Sequence, residues 1–122
     1  MLTKFTALAM GVLLSVSAMA ADMATADMAT LTHQAQSGDA VAQFDLAREY
    51  YQQGNHAKAF EWFTKAAHQG DAAAQSNLGV MYDKGHGVRQ NKSTAKRYYS
   101  QACDNGNQPG CDNYRILNEQ GY

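Results

Sequence analysis

The sequence predicts an all-α protein built as a short α/α solenoid of helical hairpins. Three observations predict it. The chain is self-similar at spacings of 32 and 36 residues, its apolar positions recur with a helical period, and glycines stand where helices should stop. The self-similarity runs through AQSGDAVAQFDLA (35–47), AHQGDAAAQSNLG (67–79) and CDNGNQPGCDNYR (103–115). Each stretch has glycine fourth (Gly38, Gly70, Gly106), followed by Asp39, Asp71 or Asn107. The first two also pair Ala42-Gln43 with Ala74-Gln75, and Leu46 with Leu78.

Taken in order, residues 1–20 read as a secretory signal peptide. Lys4 precedes an apolar run from Phe5 to Val16, and Ala18-Met19-Ala20 places cleavage before Ala21. The run is short for a spanning helix, which needs about 20 apolar residues, and no later segment is apolar enough to span. Residues 21–30 repeat ADMAT twice and read as a tether. The helical domain is expected over 31–119, with repeats at about 40–70 and 72–106 and half-repeats at both ends. A partial helix over 27–37 is expected because Leu31 and Ala35 align with Phe63 and Ala67.

The main helices follow from their stripes. Leu46, Ala47, Tyr50 and Tyr51 give a helix over 40–53, and Ala59, Phe63, Ala66 and Ala67 give one over 56–69. Leu78, Met81 and Tyr82 repeat the first stripe over 72–84. Ala95, Tyr98, Tyr99 and Ala102 repeat the second over 92–104, and a closing helix spans 109–119. Small alanines beside large aromatics suit close helix packing. Gly54, Gly70, Gly85 and Gly106 are placed to end helices, and Asn55 and Asn91 to cap the next ones. Four extra residues in the second hairpin fall around Gly85–Val88.

Ten Lys and Arg face 11 Asp and Glu, and cleavage would remove Lys4 to leave a net charge of −2. That balance points away from nucleic acid and from an anionic membrane surface as partners. His33, His56, His68 and His86 lack metal-ligand spacing and read as surface or loop residues, so no metal or cofactor is expected. Trp62, Tyr98 and Tyr99 read as core.

The pattern A-x-x-G-D-A-x-A-Q-x-x-L-G-x-M-Y-x-x-G-x-G-V, from Ala67 to Val88, resembles the Sel-one-like repeat, a relative of the tetratricopeptide repeat with a longer hairpin loop. The resemblance covers about residues 31–118; Asn91 replaces the usual acidic residue, and the first repeat lacks the G-x-G-V loop. An exported bacterial subgroup of that family carries cysteine pairs at the spacing and repeat positions of Cys103 and Cys111, which replace Ala67 and Gln75 of the preceding junction. In an oxidising compartment such a pair is expected as a structural disulfide. Metal binding would need further ligands, and a redox pair is more often C-x-x-C.

By position, the family's concave groove would be lined by Phe44, Arg48 and Tyr51 in the first repeat, by Ser76, Asn77, Val80 and Asp83 in the second, and by Asn113 in the closing helix. Arg48 and Asn77 are candidates for binding a carboxylate or a peptide backbone. The expected function is an exported protein-interaction module: an envelope adaptor or scaffold, or an inhibitor or immunity protein, with a protein or peptide partner. The alternative is weak β-lactam binding or hydrolysis, which some members of the cysteine-paired subgroup suggest. Ser93-Thr94-Ala95-Lys96 spells S-x-x-K, but the companion S-D-N and K-T-G elements are absent, and a polar helix start explains the four residues.

Overall fold

The computed structural model of the protein describes residues 27–122; the expected signal peptide and the tether up to residue 26 lie outside the described residues. Residues 27–36 form a first helix, α1, overlapping the last four residues of the expected tether. Five helices follow: α2 (Ala40–Gln52), α3 (His56–His68), α4 (Ala72–Lys84), α5 (Lys92–Asp104) and α6 (Gln108–Glu119). Residues Leu31–Tyr122 form one compact unit. Each of α3 to α6 packs on the helix before it, and α4 also touches α6, so the first helix of the second hairpin lies next to the closing helix.

The helix starts are fixed by side-chain caps. Asn55 and Asn91 accept from Lys58 N and Thr94 N at 3.3 and 3.0 Å. Asp39, Asp71 and Asn107 do the same at the repeat junctions, accepting from Val41, Ala74 and Gly110 N at 2.9, 2.8 and 2.8 Å. Each such cap satisfies a backbone donor that the first turn leaves free and is worth about 1 kcal/mol. The residue before each junction cap is a glycine at positive φ, such as Gly70 at 91°, where a Cβ would be strained. A Gly-Asp or Gly-Asn pair therefore ends one helix and starts the next within two residues.

The core alternates small and large residues. Ala47, Ala59, Ala66, Ala74, Ala95 and Ala102 are fully buried, and Leu46, Phe63, Leu78, Met81 and Tyr99 fill the spaces they leave. Burying one such large side chain is worth about 1.5–3 kcal/mol.

Each junction also carries a cross-brace. Gln43 and Gln75 are buried, and each donates from Nε2 to a carbonyl eight residues back, Ala35 O at 3.0 Å and Ala67 O at 3.2 Å. Their Oε1 atoms accept from the next junction: Gln69 Nε2 reaches Gln43 at 2.8 Å, and Asn105 Nδ2 reaches Gln75 at 2.8 Å. At the third junction the same eight-residue step is spanned by a disulfide between Cys103 and Cys111, with Cα atoms 4.6 Å apart. A second change lies beside it. Ala42 and Ala74 precede the glutamines, but Gly110 precedes Cys111, and a Cβ there would sit 2.7 Å from Ala102 Cβ and 3.0 Å from Tyr99 O.

Candidate interaction surface

The structure spreads the expected groove residues over three settings. The first is open. Arg48 is exposed on α2, its nearest acid is the equally open Asp45 at 3.8 Å, and its guanidinium carbon lies 5.8 Å from the Phe44 ring centroid. Phe44 is half-buried with its ring 5.7 Å from Phe63, so its inner side belongs to the core and its outer side to the surface. Asn77 on α4 is half-buried and donates to Ala73 O at 3.0 Å, which leaves its Oδ1 to accept from a ligand. Asn113 is half-buried on α6.

The second setting is internal. Ser76 is buried at 8% exposure, and Val80 packs on the cluster of Ala95, Tyr99 and Leu117. Neither offers the open side chain that a groove position implies, because α5 and α6 cover that side of α4.

The third setting consists of polar side chains already engaged with their neighbours. Asp83 pairs with Lys92 Nζ and accepts from Tyr99 Oη at 3.4 Å. The hydrogen bond to Asp83 holds the Lys92 amine above its ordinary value, against the smaller opposing effect of burial. Burial, reinforced by the Asp83 charge, pushes the Tyr99 phenol well above the ordinary tyrosine range. Tyr51 bonds His86 Nδ1 at 2.8 Å, and the His86 ring stacks on His56 with centroids 4.7 Å apart and planes 11° apart. His56 and His86 are therefore not plain surface histidines. They clamp the α4–α5 loop to the α2–α3 turn, and Gly87 lies so near that a Cβ there would sit 2.5 Å from His56 O.

The S-x-x-K residues are not assembled into a pair. Lys96 Nζ donates to Tyr122 O and lies 5.4 Å from the Tyr114 ring centroid, while Ser93 is exposed and makes no hydrogen bond to Lys96. Among the described residues there is no cluster of three His, Cys, Asp or Glu able to hold a metal, and no helix long and apolar enough to cross a membrane. The surface can offer a guanidinium, amides and half-buried rings, which is the chemistry of peptide recognition.

Sequence reasoning missed the glutamine braces and the histidine stack. The first had a signal: Gln43 and Gln75 hold the same place in two repeats, where a solvated polar residue would be free to vary. The second had none, since His56 and His86 lie 30 residues apart in dissimilar segments.

Comparison with known proteins places these features. The chain is 34% identical over 101 residues to the ERAD-associated E3 ubiquitin-protein ligase component HRD3B of Arabidopsis thaliana, covering 78% of this chain and 16% of that protein. It is 37% identical over 60 residues to DAP3-binding cell death enhancer 1 of Rattus norvegicus, covering 49% and 12%. The chain thus spans under a fifth of the length of either relative. Among solved structures it is similar to c5321, a protective antigen present in uropathogenic Escherichia coli strains and displaying an SLR fold. The TM-score is 0.60 at 25% identity, covering 78% of this chain and 29% of that one. The Sel1 repeat model matches twice, at residues 40–71 and 72–107, and the chain belongs to the Sel1 repeat family.

Proposed function

We propose that this chain is a protein-interaction module working in the periplasm or outside the cell, and that it holds a segment of a partner protein along the face of α2, α4 and α6. The observation that carries the reading is the Phe44–Arg48 patch. An exposed guanidinium, ion-paired only with the half-exposed Asp45 at 3.8 Å, lies next to a ring whose inner side is anchored in the core. A carboxylate could replace Asp45 there, and an apolar side chain could pack on Phe44. Asn77, on α4, adds an acceptor for a peptide N–H. Further support comes from the Sel1 repeats, whose relatives include a component of a ligase and a protein named for binding DAP3. The signal-peptide pattern and the Cys103–Cys111 disulfide support an oxidising location.

The test is recovery of partners from periplasmic extract with the wild-type chain, with Arg48→Ala/Asn77→Ala, and with Arg115→Ala as an exposed control. The double variant should lose a partner that the wild type and the control retain. Equal recovery by all three would reject this face.

A further inference from the structure

Charge is not spread evenly along the chain. Between residues 84 and 103 there are five cations, Lys84, Arg89, Lys92, Lys96 and Arg97, and no Asp or Glu. Two of the five are engaged within the fold, Lys92 with Asp83 and Lys96 with Tyr122 O. Arg89 is exposed and has no ion-pair or hydrogen-bond partner among the described residues.

Arg89 also lines an open cleft of about 580 Å³, together with Tyr82, Val88, Gln90 and Asn91. Two of these are committed to the fold, since Gln90 donates to Asp83 O at 2.7 Å and Asn91 caps α5 at Thr94. That leaves Arg89 as the free donor, with Tyr82 and Val88 as the apolar lining. The Tyr82 ring is held by two aromatic neighbours. It stacks on Tyr98 with centroids 5.6 Å apart, and the Phe60 ring meets it edge-on at 5.7 Å.

The loop that forms the cleft wall is held rigid. His86 N donates to Met81 O at 2.9 Å and Asn91 N to Tyr82 O at 2.8 Å, while Tyr51 and His56 hold His86 from the neighbouring hairpin. A wall held in this way loses little freedom when a ligand arrives. The first repeat has no such loop, its helices being joined within three residues.

We infer that the cleft at the α4–α5 loop is a second docking site, for an acidic, extended segment of a partner protein, in which Arg89 takes a carboxylate and Tyr82 takes the neighbouring apolar side chain. The charge of the segment sets the sign of the ligand, and the fork of one guanidinium suits a carboxylate. A nucleic acid would need a longer row of free cations tracking phosphates, and here two of the five are already paired. The inference keeps the reading of the chain as a protein-binding module but uses a different face from the Phe44–Arg48 patch.

The test uses an array of heptapeptides with a central Phe, Leu or Gly, flanked by acidic, neutral or basic residues, probed with the full chain. Hits are then titrated by fluorescence anisotropy against wild type, Arg89→Gln, the control Arg115→Ala, and Arg48→Ala as a probe of the other face, each checked for unchanged circular dichroism. Acidic peptides with a central Phe or Leu should bind the wild type and weaken as salt rises. Arg89→Gln should lose roughly tenfold in affinity, the scale of one charge-assisted hydrogen bond, and Arg115→Ala, an exposed control, should bind as wild type. An array without acidic preference, or equal binding by Arg89→Gln, would overturn the inference while leaving the Phe44–Arg48 reading intact. Loss through Arg48→Ala alone would move the ligand to the other face. Retention on phosphatidylglycerol vesicles that depends on Arg89, with no acidic peptide bound, would assign the patch to lipid and overturn it as well.

Discussion

Replacing Gly79 by alanine sets two effects against each other. Alanine inside a helix is favoured over glycine by about 1 kcal/mol, so propensity alone predicts a more stable α4. The structure predicts the reverse. A Cβ at position 79 would lie 2.5 Å from both Cδ1 and Cε1 of Tyr99 and 3.1 Å from its Cγ. The ring has little room to withdraw: Tyr99 is 1% exposed, packs on Ala95 and Leu117, and points its hydroxyl at Asp83. Overpacking of a well-filled core costs about 1–3 kcal/mol, and a pinned ring belongs at the upper end. The net expectation for Gly79→Ala is a loss of about 1–2 kcal/mol, or a melting temperature lower by roughly 4–16 °C for a domain of this size. Thermal melts by circular dichroism at 222 nm would read it. A double variant with Tyr99→Leu should lose less than the two single losses combined, by at least 0.5 kcal/mol or so, because the smaller side chain makes room for the new methyl. Gly79→Ala melting at or above the wild type would refute the reasoning, since it would mean that α4 and α5 separate freely.

Three further outcomes are expected. Replacing Cys103 and Cys111 by serine should cost about 2.5 kcal/mol on the chain-entropy model for a loop of about nine residues, and a melt unchanged by this substitution would show that the link adds no stability. Gln75→Leu removes a bond to Ala67 O and one from Asn105, and should cost about 1–3 kcal/mol in urea unfolding; a neutral result would mean that the brace is dispensable. For Tyr99, the folded value lies above the ordinary unfolded value of about 10, so the stability tied to its protonated phenol is complete below that pH and is lost as the pH climbs towards the folded value. Melting temperatures measured from about pH 9 to 11.5 should therefore fall more steeply for wild type than for Tyr99→Phe. Parallel curves would count against the buried phenol as the cause.

Much of the fold was legible because it depends on residues close in sequence. Phe63 and Ala66 report one helix face, Gly70 and Asp71 mark one boundary, and Asn91 caps the turn that follows it. The interaction surface was less legible because groove positions inferred from repeat register say nothing about what crosses the repeat. Ser76 and Val80 occupy groove positions by register, yet the helices stacked beside α4 cover them. Tyr51 and Asp83 also hold groove positions by register, yet they are engaged by His86 and Lys92, which come from outside their own helices. Arg48 keeps an open side chain on α2, ion-paired only with Asp45 three residues before it. Arg89 went unremarked because a single basic residue in a loop carries no pattern; only the rigid loop and the ring beneath it give it meaning.

The change from Ala-Gln to Gly-Cys at the third junction also bears on how many repeats can follow one another. A buried glutamine works in two directions, donating back to the helix before it and leaving an oxygen for the amide of the junction after it. Each such junction therefore prepares the seat of its successor, and a stack joined only by glutamines has no inherent length. Cys111 breaks that succession: its sulfur is spent on Cys103 and offers no strong acceptor to an incoming amide. The covalent link thus holds α6 in place without the acceptor that a glutamine offers to a following junction. Restoring alanine at 103 and glutamine at 111, with Gly110 kept because a Cβ there would meet Ala102 and Tyr99, would be the minimal edit for a designer who wished to lengthen the array.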